Sequence, residues 1–332
     1  MRLEQTGHPL HTRALSVTVA AAADGLWTVV GELVDVRKRG FTPVGTEVQG
    51  AGIIHQMGLE ARVDPRRRII ETVAARQPVV AFEASAATQG ESCRDVVGRL
   101  VELHGMSLDD PALLRTTMGG AAGCSHLLAV AQLLCATLTD AVPEASTAAQ
   151  PAHRQLLRRD LIFDGNEQDD GRLAIAIQLS DLHTAPAPAG ARAMARFRRH
   201  DELRLSLLLD GWPATIAAAR GAERLRDEEN FATAAWRDLD VALEPLRGLS
   251  LGKGAAQALV GAMGGHPRVR DAMLQLGGAL IQCRASFPDK WLNVAATPGH
   301  PGLIGMPDSC YMWRRGGTLD QTRKPDDPSP LL

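Results

Sequence analysis

The chain reads as one sequence written twice. Asp24-Gly-Leu-Trp-Thr-Val-Val-Gly-Glu-Leu-Val-Asp35 returns 146 positions later as Asp170-Gly-Arg-Leu-Ala-Ile-Ala-Ile-Gln-Leu-Ser-Asp181. At that offset Arg13 meets Arg159, Leu59 meets Leu205, Asp64 meets Asp210 and Ile70 meets Ile216. With small gaps, Gly105-Met-Ser-Leu108 meets Gly248-Leu-Ser-Leu251, and Met118-Gly-Gly120 meets Met263-Gly-Gly265. Solenoid repeats are far shorter, and a unit of this length can bury its own core. The pattern therefore predicts two tandem copies of one domain, a pseudo-dimer within a single chain.

Each copy runs from strands into helices. In the first, residues 27–37 and 53–63 alternate apolar with polar, and residues 68–75 follow Asp64-Pro65-Arg66, a turn with proline at its favoured second position. Residues 1–12 read as a polar lead-in. From Ser92 the apolar period lengthens, predicting helices over 93–104, 111–118 and 125–138. The second copy offers strands at 173–183, 203–209 and 215–219, then helices at 231–246, 255–263 and 268–283. The expected fold is α+β: two tandem related domains, each an antiparallel sheet of three to four strands covered by helices on one face. We place the first repeat at residues 13–138, a linker at 139–155, the second, degenerate repeat at 156–285 and a C-terminal extension at 286–332, with disorder expected near Thr322. The extension carries Asp308-Ser-Cys-Tyr-Met-Trp313, which has no counterpart in the first copy and is expected to pack back across the domains.

Charge and composition narrow the functions. A net charge of −2 gives no electrostatic case for nucleic acid or an anionic membrane. A single tyrosine and few other aromatic residues argue against base stacking. The apolar run at 127–138, broken by Gln132, is too short to span a bilayer. Five widely spaced cysteines and a start lacking a basic-then-apolar leader suggest the reducing cytoplasm. The expected partner is a small-molecule substrate, with no nucleic acid and no membrane, and with a homodimer as an open arrangement.

Strand parity picks out the chemistry. On the second copy's strand, Leu173, Ile175, Ile177, Leu179, Asp181 and His183 share one face, so an apolar row ends in a carboxylate and an imidazole. The first copy gives Trp27, Val29, Gly31, Leu33, Asp35 and Arg37. His55 shares its face with Met57, Leu59, Ala61 and Val63 and is predicted to look toward the helices. His200 is its expected partner in copy two if a bulge keeps the phase, with Asp201 competing for the place. Cys124 and His126 open a helix, where backbone amides and the helix dipole favour a thiolate able to act as nucleophile or metal ligand. Copy two carries Arg268 to Asp271 in that stretch and loses the motif. Taken singly, a histidine on an apolar strand, a repeated acid or a small thiol is commonly structural, and Cys135, Cys283 and Cys310 read as packing residues. As a convergent set the polar groups must find partners.

The strings Ile54-His55-Gln-Met-Gly-Leu-Glu-Ala-Arg-Val-Asp64 and Gly119-Gly-Ala-Ala-Gly-Cys124-Ser-His126-Leu127 resemble the bacterial family catalogued as domain of unknown function 2889, with its Cys-x-His-Leu motif. Ser180-Asp181-Leu-His183-Thr and Arg199-His200 are similar to the same family, whereas Arg37 stands where its pattern often has histidine. The family label implies no established activity. A fainter similarity is to NifU-type iron–sulfur scaffold proteins, which run from an antiparallel sheet into helices with ligands at three separated places. By order these would fall at His55, Cys93 and Cys124.

The leading functional expectation is an enzyme acting on a small, largely apolar organic substrate by cofactor-independent acid–base chemistry of lyase, isomerase, cyclase or hydrolase type. Its catalytic candidates are Asp35, His55, Cys124, His126, Asp181, His183 and His200, with Arg37, Trp27 and Met57 binding substrate. The Asp181–His183 pair is expected to be required for turnover, and the pocket to lie between sheet and helices or between the copies. No glycine-rich nucleotide fingerprint follows a strand, so nicotinamide redox chemistry is not expected. One alternative is a zinc or iron protein using His55, Cys93, Cys124 and His126. Another is a non-catalytic binding or assembly module.

Overall fold

Buried Leu15, Val17 and Val19 alternate with half-buried Ser16 and Thr18, and this strict period of two makes a strand well upstream of the first one expected. The computed structural model describes residues 6–39, 42–44, 47–110, 112–145, 154–185, 192–211, 214–252, 254–286 and 308–321. Its strands are β1 (His8–Ala21), β2 (Trp27–Arg37), β3 (Thr42–Val44), β4 (Glu47–Gln49), β5 (Gly52–Asp64), β6 (Ile69–Val79), β7 (Gln155–Glu167), β8 (Leu173–Thr184), β9 (Phe197–Asp210), β10 (Thr215–Asp227) and β11 (Arg237–Asp238). The main helices are α1 (Ala112–Met118), α2 (Ser125–Ala145), α3 (Asp240–Leu243), α4 (Ala255–Met263), α5 (Pro267–Leu274) and α6 (Leu276–Arg284).

The α+β class holds, but the strands form one nine-stranded sheet in the order β11-β10-β9-β8-β7-β1-β2-β5-β6, with β3 and β4 as a separate hairpin. The described strands thus do not split into the expected separate sheet of three to four strands for each domain. Residues 8–12 are strand, not lead-in, and β1 pairs with β7 along nearly its whole length, fusing the halves through their central strands.

The ladders of the two halves share one register. Leu15 pairs with Leu33, and Leu161 with Leu179; Leu33 pairs with Met57, and Leu179 with Leu203; Asp64 pairs with Ile69, and Asp210 with Thr215. In the central pairing Leu15 faces Leu161, its own counterpart. The repeated Gly-x-Ser-Leu runs also dock alike: the Gly105 N–H donates to Ile70 O at 2.7 Å, and the Gly248 N–H to Ile216 O at 2.8 Å.

One face of this sheet carries the helices. Leu127, Val130, Leu134 and Leu138 form the apolar stripe of α2 and are buried against β1, β2, β5 and β7. Gly31 admits the helix, since a Cβ there would stand 2.6 Å from Val130 Cγ1. α6 crosses the seam and packs on β1, β2 and β7. Each half is thus covered partly by the other half's helix.

Several boundaries move. The 93–104 helix is turns and a 3-10 helix, Val97–Leu103. α2 continues through Ala145, into the stretch read as linker. The 231–246 helix dissolves into a turn, where Asp227 Oδ1 caps the Glu229 and Asn230 amides, followed by β11, α3 and a short 3-10 helix at Glu244–Leu246. The 268–283 helix breaks at Gln275, just ahead of Gly277-Gly278, into α5 and α6. The disorder expected from Thr322 lies outside the described residues. No described helix is long and apolar enough to cross a membrane.

Candidate functional site

Sheet register sets three polar residues in a row across three strands. Arg13 on β1 pairs with Asp35 on β2, which pairs with His55 on β5. All three side chains lie in the buried phase of their strands, beneath the helix layer. Asp35 is fully buried and is the hub. Arg13 donates from Nε to Oδ1 and from Nη2 to Oδ2, both at 2.8 Å, and His11 Nε2 lies 2.8 Å from Oδ1. His55 Nδ1 is 3.2 Å from Oδ2 but is not aligned with it as a hydrogen bond, which leaves this buried nitrogen unsatisfied.

The start of α2 completes the cluster. His126, at the helix's second residue, places Nε2 3.4 Å from Asp35 Oδ2, and its ring lies 3.8 Å from that of His55 between centroids, tilted by 33°. From α6 in the other half, Gln282 Nε2 approaches His126 Nε2 at 3.2 Å. An amide N–H donates, so this ring nitrogen accepts. Gly278, one turn earlier on α6, makes room for the arginine: a Cβ there would fall 1.7 Å from Arg13 Nη1. The site is therefore built from both halves.

The two histidines open on a cavity of about 280 Å³, at the small end of ligand pockets. Its walls are largely apolar, with Met57 from β5, Phe82 and Val96 from the loops after β6, Ala129 from α2, and Leu274 and Ile281 from α5 and α6. Arg37 and the thiols of Cys93, Cys124 and Cys310 also line it. The C-terminal segment 309–313 closes one side, held where the Tyr311 N–H donates to Gly123 O at 2.8 Å and where Trp313 meets Phe82 edge-to-face at 5.7 Å. The expected return of this segment is seen, against the first half.

Burial and charge oppose each other at the hub. Burial alone would raise the Asp35 pKa, but Arg13, with help from His11 and His55, overcomes it and holds the carboxyl well below the usual range. His126 is pushed well below the ordinary imidazole value by burial, reinforced by His55 and Arg13. His11 is lowered too, chiefly by burial, against the opposing pull of Asp35. Neutral imidazoles beside an ionised carboxylate follow. Burial raises the Cys124 thiol despite the Leu127 and His126 amides beside it, so the expected helix-start thiolate is disfavoured at neutral pH. Burial likewise raises Cys93, and lifts Cys310 to about 11.

The structure gathers Arg37, His55, Met57, Cys93, Cys124 and His126 around one cavity, with Asp35 directly behind. Trp27 is buried in the core and does not line it. Among the described residues, the histidine, cysteine and carboxylate donors close enough to share an ion are those of Asp35, His55 and His126, all within 4.8 Å; Cys93 and Cys124 stand outside this set.

The second-half candidates lie elsewhere. Asp181 gives both oxygens to Arg159, at 2.6 and 2.8 Å, and neither it nor His183 lines the cavity. His200 sits half-exposed on the other face of β9, bonded to Ser180 Oγ at 2.8 Å and approached by Arg226 Nη2 at 2.7 Å. Asp201, not His200, pairs with Asp181 as His55 does with Asp35, and no bulge intervenes there. The pleat simply runs in phase.

Sequence reasoning missed His11, Arg13, Gly278 and Gln282. Arg13 and Arg159, 146 positions apart, carried a signal, because a charge in the apolar phase of an alternating segment has to meet a counter-charge. Comparison with known families matches residues 11–140 to the family described as "Protein of unknown function (DUF2889)". No curated protein and no solved structure matches the chain.

Proposed function

We propose, for a chain whose residues 11–140 match this family of unknown function, that it is an enzyme performing acid–base chemistry on a small, largely apolar organic substrate. The reading is carried by one observation: two stacked histidines, backed by a buried ionised aspartate, form the polar corner of an otherwise apolar cavity. A neutral imidazole there can accept a proton, and two rings 3.8 Å apart resist carrying two protons at once. The pair therefore suits a single proton moved on and off a substrate. Arg37, on the same wall, offers a positive group for a carbonyl or carboxylate oxygen. Cys124 serves as a neutral wall residue in this account, and the Asp181–His183 strand as support. We read the two halves as copies of one ancestral domain, of which the first kept the cavity.

The test is turnover. A panel of small esters, lactones and β-keto acids is offered to the wild type and to His55→Gln, His126→Gln and His183→Ala. Loss of turnover in the first two, with His183→Ala unaffected, is expected. Turnover lost in His183→Ala but kept in His126→Gln would return the chemistry to the second half.

A further inference from the structure

Three atoms able to ligate a metal face one another at the cavity wall. Asp35 Oδ2 receives Arg13 Nη2 and keeps a second lone pair. His126 Nε2 accepts from Gln282, so it has no proton to give the carboxylate 3.4 Å away. His55 Nδ1, 3.2 Å from the same oxygen, is buried without a hydrogen-bond partner. A buried atom such as His55 Nδ1 needs a partner, and a cation shared with the carboxylate and the second ring would supply one. The spacing has a chemical meaning as well. A tetrahedral zinc with bonds of about 2.05 Å separates its ligands by about 3.3 Å, between the two distances seen from Asp35 Oδ2.

We propose that Asp35 Oδ2, His55 Nδ1 and His126 Nε2 form a binding site for a tetrahedral first-row divalent ion, zinc foremost, whose fourth position opens on the cavity. Two histidines and one carboxylate with an open position make a catalytic type of donor set, whereas structural zinc closes all four positions. Arg13 and His11 are the outer shell, fixing the carboxylate through its other lone pairs. Gln282 is the side chain the ion displaces. The site differs from the cysteine-rich set expected from the sequence, because Cys93 and Cys124 lie beyond reach of the shared centre. If the catalytic reading above holds, an ion here would take up the ring nitrogens read there as proton acceptors, and the base would instead be a water it activates, or the ion would polarise a substrate oxygen.

The test uses full-length protein stripped with a chelator and titrated with cobalt(II), followed by visible absorption. Expected are saturation at one ion per chain, the intense bands of a tetrahedral site, displacement by zinc, and no near-ultraviolet thiolate charge-transfer band. His55→Gln and His126→Gln should each weaken binding by more than about a hundredfold, beyond the loss of an outer-shell partner. Gln282→Ala should tighten it. Thermal unfolding checks that the variants fold, and the wild-type spectrum decides alone where they do not. No saturable binding, a thiolate band, or binding indifferent to both histidine variants would each overturn the site. A protein that binds cobalt as described yet processes no substrate fails the catalytic reading alone; one that turns substrate over equally after chelation, without saturable cobalt binding, fails the metal site alone.

Discussion

The same sheet position is solved twice in this molecule, in opposite ways. In the first half the row across the strands is Arg13, Asp35, His55; in the second it is Arg159, Asp181, Asp201. The second row sets two carboxylates side by side, and charge closes over them. Arg268 from α5 pairs with Asp201 and lies 3.7 Å from both Asp181 and Glu223, Arg199 adds a second cation to Asp201 at 2.7 Å, and Arg159 also draws in Asp140 at 2.6 Å and Asp271 at 3.4 Å. Where the first half brings His126 and an open cavity, the second brings a guanidinium that pairs with the carboxylates. Histidine against aspartate in the row, and His126 against Arg268 above it, separate a cluster that opens on a cavity from one locked in salt bridges.

Both halves should depend on their buried arginine–carboxylate pair for stability. Asp35→Ala and Arg159→Ala each leave an uncompensated buried charge and should cost about 3–5 kcal/mol in denaturant unfolding. Gly278→Ala should approach the same loss, since its methyl group would displace Arg13 from Asp35. If only the second-half variant proved costly, the first-half pair would not be the structural equal that the register makes it.

Acid should then separate the halves. His11 and His126 have folded pKa values below the ordinary 6.5, so below about pH 6.5 the unfolded chain binds more protons than the folded one. Stability is complete above that pH and falls as pH drops, by up to about 1.4 kcal/mol per unit for each histidine. His200, lowered by partial burial, adds a smaller part. Asp35 acts in the opposite range: its depressed pKa contributes stability above the usual carboxylate values, lost only in stronger acid. Removing one titrating site with His126→Gln should reduce the slope between pH 6.5 and 5.5 by about one proton, read from unfolding midpoints. An unchanged slope would show that His126 titrates alike folded and unfolded.

A smaller effect is expected from Arg268→Gln, which leaves Asp201 with Arg199 and should cost about 1–3 kcal/mol while turnover persists. Loss of turnover in a protein that remains folded would give the second cluster a functional part.

Much of this site was legible from strand parity alone. Period two put Asp35 and His55 on the helix-facing side, and the glycine-rich approach to Ser125 put Cys124 and His126 at a helix start, so four cavity-side groups could be named without a partner strand. β1 escaped because its inward phase mixes Leu15, Val17 and Val19 with His11 and Arg13, and a charged residue on that phase reads as surface until its carboxylate is known. Parity also overvalued Asp181 and His183: it gives the face a side chain shares, not which neighbour claims it, and Arg159 claims Asp181. Gly278 and Gln282 enter from more than 140 residues away along the chain, and no local pattern could announce them.

On this reading the cavity beside His55 and His126 receives a ligand and the cluster around Arg268 does not. Crystals soaked with a cocktail of small oxygen-bearing organic fragments test it directly. Density is expected in the cavity, with an oxygen within hydrogen-bond reach of His55, His126 or a cation held between them, and none at Arg268. Fragments gathered around Arg268 and Asp201, with the first-half cavity left clear, would contradict it.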